Sequence, residues 1–301
     1  MRWKPARGRD LQLLEPFLLA GEWKSVALSA RFCRQGTYRL PPRSSTTVYY
    51  CARFARNARS APGAPTAPHG EVAGVLLRTT TGLLLPLLRE GDLDGLPLPP
   101  ERAGGDLYSI MGTHRDVRWL ETRLTGIPEI AVEYHLMILR REGSPASLQA
   151  SVEEQSPPKL TVRPATEADL PALFPLQKSY ELEEVVLRPD HFRDQACYTH
   201  LKRTLKTQLT YLAEISGRVV AKAGTNARGR QCDQIGGVYT VEHFRNQGIG
   251  LALMEVLLKK IFREKSSVTL FVKKNNLPAV ALYRRLGFET AEAYRISYFR
   301  S

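Results

Sequence analysis

Arg245, Gly248 and Gly250 stand between an apolar run, Ile235–Val241, and an amphipathic one that opens at Leu251. Residues of these types at a strand-to-helix junction can hold an anion. A helix start leaves backbone N–H groups without internal partners, and the helix dipole adds positive potential at the same end. The two glycines let a ligand approach the backbone closely, and Arg245 contributes a permanent positive charge. Phosphate or pyrophosphate is the ligand such a turn suits. Leu251, Met254, Leu257, Leu258 and Ile261 recur at spacings of three and four, so a helix with one apolar face is expected behind it.

Other chemistries lack their residues. No G-x-x-x-x-G-K-[ST] is present, and no G-x-G-x-x-G follows a strand. The six histidines show no metal-ligand spacing, so no metal is expected. His243, beside the turn, is of the type that moves protons near neutral pH, but a surface role fits it better. The four cysteines are scattered without a C-x-x-C pair, which reads as reduced thiols in the cytoplasm. Cys232, within a strand, is expected to pack rather than to carry an acyl group.

Elements that could position this chemistry are legible along the whole chain. A short helix enters through Asp10, and Ser25–Phe32 reads as a strand or a second helix. Glu71–Leu77 and Gly82–Leu88 flank a turn and predict a hairpin. A strand (Leu107–Met111), a helix (His114–Leu124) and a strand (Ile130–Leu139) follow. Ser60–His69 and Gly91–Gly105 are Pro- or Gly-rich loops, and Gly143–Pro158 has the Ser/Pro/Glu content of a linker. Next come a strand at Leu160–Arg163, helical stretches at Glu167–Leu173, Leu176–Val186 and Asp194–Gln208, and a hairpin around Ser216-Gly217. Ser267–Val272 is a strand, Leu277–Leu286 a helix ended by Gly287, and Phe288–Phe299 a closing strand. This divides the chain into an α/β domain at 1–142, a linker at 143–158 and a second domain at 159–301.

Composition is consistent with two globular domains. The 301 residues are 43% hydrophobic and carry a net charge of +13. Residues 1–158 hold 20 basic and 16 acidic groups and residues 159–301 hold 23 and 14, so the excess lies with the glycine turn. Such a surface suits a polyanionic cofactor. Nucleic acid is not expected, because Arg53, Arg56 and Arg59 near Phe54 come with no recognised motif. The longest apolar region, Val72–Leu88, is interrupted by Arg78, Gly82 and Pro86, which argues against a membrane span.

Two motifs together carry a resemblance. Arg245-x-x-Gly248-x-Gly250 precedes by 31 residues Asn276-x-x-Ala279-x-x-Leu282-Tyr283-x-x-x-Gly287-Phe288, with a helix and a strand between them. Residues 160–299 thereby resemble the GNAT superfamily of acyl-CoA-dependent N-acyltransferases. The stretches Tyr180-Glu181-x-Glu183-Glu184-Val185 and Thr225–Gly229 look like a bacterial subgroup with an extra N-terminal half. The resemblance implies an α/β (α+β) fold with a mixed, splayed central sheet. It implies acetyl-CoA as acyl donor, an amine acceptor, and a monomer or homodimer. It puts the pyrophosphate on the backbone of Asn246, Gln247, Gly248, Ile249 and Gly250, flanked by Arg245. Val238 and Thr240 would present backbone groups to the pantetheine amides, as to an added strand, and a neighbouring N–H could polarise the thioester carbonyl. Asn276 would fix the next helix and contact the cofactor arm, and Tyr283 would protonate the departing thiolate. Glu183 or Glu184 would bind the amine or take its proton, unless that acidic run is only a solvated helix face.

Two alternatives stay open. A CoA-binding module without turnover would carry the same turn. For the first half, either a diverged GNAT-like domain that has lost CoA binding or an unrelated α/β domain fits. On the first reading Leu107–Leu124 corresponds to Ile235–Ile261, and Met111–Arg115 replaces the glycine turn.

Overall fold

A computed structural model describes residues 2–34, 36–54, 70–91, 93, 95–99, 107–125, 127–145 and 160–299. The loop expected at Ser60–His69 and most of the expected linker lie outside the described residues. The elements in chain order are β1 (Trp3–Pro5), α1 (Leu11–Ala20), α2 (Val26–Phe32), β2 (Cys33–Arg34), β3 (Thr37–Tyr38), β4 (Thr46–Phe54), β5 (Gly70–Thr79), β6 (Leu83–Leu88) and β7 (Ser109–Thr113). They continue with α3 (His114–Leu120), β8 (Ile130–Arg140), β9 (Leu160–Pro164), α4 (Leu170–Tyr180), α5 (Asp194–Thr207), β10 (Thr210–Ile215), β11 (Arg218–Arg228) and β12 (Cys232–Thr240). The last are α6 (Ile249–Phe262), β13 (Ser267–Lys273), α7 (Leu277–Arg285) and β14 (Glu289–Tyr298). They group into two compact units, one of Met1–Leu136, Phe271–Asn275 and Thr290–Ser301, the other of Met137–Leu270 and Asn276–Glu289.

In the first unit the sheet runs β1-β4-β5-β6-β7-β14. Its pairs are antiparallel except β6 with β7, where Leu83 faces Ser109 and Leu84 faces Ile110. Alternation along β5 and β6 sorts side chains to two faces. Val75, Leu77, Leu85 and Leu87 pack with Leu14 and Leu18 of α1 and Leu28 and Phe32 of α2. Leu76, Leu84 and Leu88 pack with Val117, Trp119 and Leu120 of α3 on the other.

The second unit repeats this plan. Its order is β9-β10-β11-β12-β13, antiparallel except β12 with β13. Leu170, Leu173 and Leu176 of α4 and Leu201 of α5 cover one face with Leu212 and Val219. On α6, Leu253, Met254, Leu257, Leu258 and Ile261 are all fully buried. That helix packs against β9 to β12 and carries the anion turn at its N-terminus.

One alternative is settled and two expectations need correction. Ser25–Phe32 is resolved in favour of helix, as α2. The two helical stretches expected at Glu167–Leu173 and Leu176–Val186 form one helix, α4, that ends in a π turn at Glu181–Val185. Pro175 lies inside α4, where it removes one backbone donor without stopping the helix. The second correction concerns the correspondence between halves. A parallel neighbour requires a crossover of a dozen or more residues, so the two parallel pairs mark equivalent places. β6 matches β12, and β7–α3 matches β13–α7. Leu107–Leu124 is therefore the counterpart of Ser267–Arg285, not of Ile235–Ile261, and Met111–Arg115 is not the degenerate glycine turn.

Candidate active site

The second unit builds its site where β12 leaves its neighbours. Parallel pairing with β13 runs from Cys232↔Ser267 to Gln234↔Thr269 and stops. Beyond it β12 pairs with β11 through a slip: Gly224 faces Gly236, whereas Lys222 faces Tyr239 and Ala221 faces Thr240. One extra residue on β12 thus bulges at Gly237, whose φ of +64° favours glycine. The N–H of Val241 bonds the Val220 carbonyl at 2.9 Å. Residues of that parity face β11, so Val238 and Thr240 direct their backbone groups toward the opposite, unpaired edge. Asn226, from the stretch noted after β11, lies over Gly236, where any Cβ would collide with its amide.

At the end of that edge the chain turns through Asn246 at φ +60° and Gly248 at φ +79° into α6. The first helical bond is Ala252 N–H to the Gly248 carbonyl at 3.0 Å. Among the described residues, no backbone acceptor takes the N–H groups of Asn246, Gln247, Gly248, Ile249 or Gly250. The Gln247 side chain instead donates to the His243 carbonyl at 3.0 Å. Arg245 donates through Nε to the Thr240 carbonyl (3.0 Å), lies over the Tyr239 ring and pairs with Glu183 at 2.8 Å.

The two candidate carboxylates are separated. Glu183 accepts from Arg245 and from the Tyr239 hydroxyl (2.9 Å), at the anion end. Glu184 accepts from Asn276 Nδ2 at 2.9 Å, and its charge is felt at Tyr180 and Tyr283. Asn276 also caps α7, its Oδ1 accepting from the Ala279 N–H at 3.2 Å.

Tyr283 lies on α7, buried, with Phe288 5.9 Å away in a tilted ring contact. Burial, with Tyr180 and Glu184 nearby, holds its phenol well above the usual range, so it keeps its proton. Among the described residues its hydroxyl has no hydrogen-bond partner. The first half has no equivalent. Thr113 caps α3 as Asn276 caps α7, but seven residues on stands buried Leu120 where the second half has Tyr283.

One group escaped sequence reasoning. Lys222 lies in β11, only 4% exposed, and its Nζ donates to the Gly237 carbonyl at 2.8 Å. The same Nζ lies 4.8 Å from the centre of the Tyr180 ring. Burial lowers its pKa to about 8 against the opposing charge of Glu181. Burial likewise pushes the Cys197 thiol up to about 12 and lowers His200, both on α5. The signal was present: a lone lysine stands in an otherwise apolar run, Val219-Val-Ala-Lys-Ala223. Cys232 is buried and its thiol reaches Thr269 Oγ1 at 3.8 Å, a packing role. Among the described residues, no group of three or more potential metal ligands converges, and no helix is long and apolar enough to cross a membrane.

Known proteins place this arrangement. Residues 172–288 match the acetyltransferase (GNAT) family. Over 98% of both chains the fold is similar to that of a Drosophila protein, with TM-score 0.60 and 13% identity. A tandem GNAT protein from the clavulanic acid biosynthesis pathway gives TM-score 0.55 and 12% identity over 98% of this chain and 97% of that one. A GNAT-family acetyltransferase from Colwellia psychrerythraea gives 0.51 and 10% over the full length of both. At such identities the likeness is one of fold, and the fold is that of two GNAT-like halves. No curated protein matches the sequence.

Proposed function

Because residues 172–288 belong to the GNAT acetyltransferase family, we propose that the second unit transfers an acetyl group from acetyl-CoA directly to a primary amine. The observation that carries this reading is a donor-rich turn, Asn246–Gly250, at the end of the free edge of β12, together with a buried, protonated and unpartnered phenol, Tyr283, whose neighbour Tyr180 accepts from the Gly237 N–H of that strand. The pyrophosphate would take the turn's N–H groups. The pantetheine amides would pair with Val238 and Thr240. Attack of the amine nitrogen on the thioester carbonyl forms a C–N bond and breaks the C–S bond. The sulfur leaves as thiolate and takes the Tyr283 proton, while the amine proton passes to Glu184 or to water. Glu184 is preferred over Glu183 in this role because its charge is felt at Tyr283.

Calorimetry with acetyl-CoA, followed by an amine panel scored by free CoA release, tests the reading. Binding that Arg245→Ala weakens, with release dependent on one class of amine, is expected. A protein that binds no acetyl-CoA refutes it, and one that binds but never releases CoA is a binding module.

Glu183 occupies the guanidinium that the pyrophosphate would approach. The pair is about half exposed, so it is worth little in itself. Glu183→Gln is accordingly expected to tighten acetyl-CoA binding by about two- to fivefold, read by calorimetry. A base at this position would instead show as a large fall in kcat with unchanged binding.

A further inference from the structure

Gly237 is held on both sides, through the peptide that precedes it and the one that follows. Its carbonyl accepts from Lys222 Nζ at 2.8 Å, and its N–H is directed at the hydroxyl of Tyr180. The two holding side chains also touch each other, since the ammonium lies over the Tyr180 ring at 4.8 Å. A Cβ on Gly237 would stand 3.0 Å from that nitrogen, and the residue adopts φ +64°. This is the bulged residue at which β12 slips against β11, just before the free edge of Val238 and Thr240.

We propose that Lys222 and Tyr180 are positioning residues that clamp Gly237 out of the sheet from its two flanking peptides and so aim the following backbone N–H, that of Val238, at the thioester carbonyl. The inference rests on the acetyl-transfer reading above and adds to it the device that sets the oxyanion donor. A peptide free to rotate would return to the β11 register and lose the bulge, because no ladder bond holds an extra residue in place. Oxyanion stabilisation depends on donors fixed before charge develops, so a clamp of this kind acts on the transition state more than on binding. Burying a lysine is unfavourable unless it has partners, and here they are few. Glu181 from the π turn favours its charge, and the Cys197 thiol, kept protonated by burial, lies nearby. His200 on α5 is near enough to feel its charge, Arg203 contacts His200, and Tyr180 covers the ammonium from α4. A leucine or isoleucine would fill the same space without that cost, which makes a purely structural role a poor account of the residue.

The test uses Lys222→Met, close in shape but with no donor, and Tyr180→Phe. The first measurement needs no turnover. The Gly237 amide resonance in a heteronuclear NMR spectrum should titrate with a midpoint near pH 8 in the wild type and not in K222M. In turnover, each variant should lower kcat roughly 10- to 100-fold, less than outright loss of an oxyanion donor, with KM for acetyl-CoA changed by less than about threefold. The double variant should lose little more than either single one, because both hold the conformation of one residue, Gly237. A folded K222M with unchanged kcat would overturn the clamp, as would a parallel fall of kcat and acetyl-CoA affinity or additive losses. If K222M unfolds, Tyr180→Phe and the wild-type Gly237 titration still decide. If the wild type releases no CoA with any amine, the transfer reading fails, while the Gly237 titration still reports on the clamp.

Discussion

Replacing Tyr283 by phenylalanine is expected to lower kcat about a hundredfold while acetyl-CoA affinity stays within about threefold of the wild type. The phenol is buried and keeps its proton at any pH suited to assay, so an acid is always ready to meet the departing thiolate. Its oxygen bonds to no other side chain among the described residues, so removing it leaves no buried partner stranded. The ring itself packs against Phe288, and phenylalanine retains that contact. Stability should therefore hardly move. Steady-state kinetics with the best amine of the panel, alongside thermal unfolding, make the comparison. An unchanged kcat would leave Tyr283 as core alone, and proton delivery would then fall to water.

The second large effect is expected from Gly250→Ala, with stability and binding moving in opposite directions. Gly250 is the second residue of α6, where alanine is favoured over glycine by roughly 0.5–1 kcal/mol. An added methyl would meet Thr240 Oγ1 at 3.5 Å and Leu282 Cδ2 at 3.6 Å, ordinary contacts that the protein tolerates. Nothing in the fold therefore demands glycine at this position. The methyl would stand beside Thr240, on the path proposed for the pantetheine arm. Acetyl-CoA affinity should fall at least about tenfold while the melting temperature rises or holds. Calorimetry on the same sample used for melting checks both. Wild-type affinity in a stable G250A protein would move the cofactor away from this turn. Gly248 offers no such separation, since its φ of +79° makes any side chain strained before a ligand is considered.

The sequence made the anion turn legible because two needs coincide there. Glycines set the backbone, and the apolar spacing of Leu251 to Ile261 requires a helix to follow. The hairpins at Thr80-Thr-Gly82 and Ser216-Gly217 were readable for a similar reason, as both place a glycine at positive φ between apolar runs. Long-range facts were not readable. Nothing local to Glu183 or Glu184 shows which of two adjacent carboxylates turns toward Arg245 and which toward Asn276, because a π turn decides it. Lys222 stands out in its apolar run, but its partners were not readable, because strand periodicity says which face a residue takes, not what the opposite element brings to it. The halves were misaligned for a related cause. Local pattern finds strand, helix and strand in both, but only the parallel pairing identifies which strands are equivalent.

The final strand has a consequence for how this protein comes into being. Ser109–Thr113 pair with Tyr294–Tyr298, so the first unit takes its closing strand from residues translated after most of the second unit. At about 5–20 residues per second, synthesis leaves that edge without its partner for roughly 10–40 s after β7 is made. The usual order, in which the amino-terminal module finishes before the next begins, is unavailable here. An open strand edge is a template for wrong pairing, and this one waits until the second unit has largely been made. A ribosome that stops before Thr290 would thus leave the amino-terminal unit, not the one being translated, as the unfinished part.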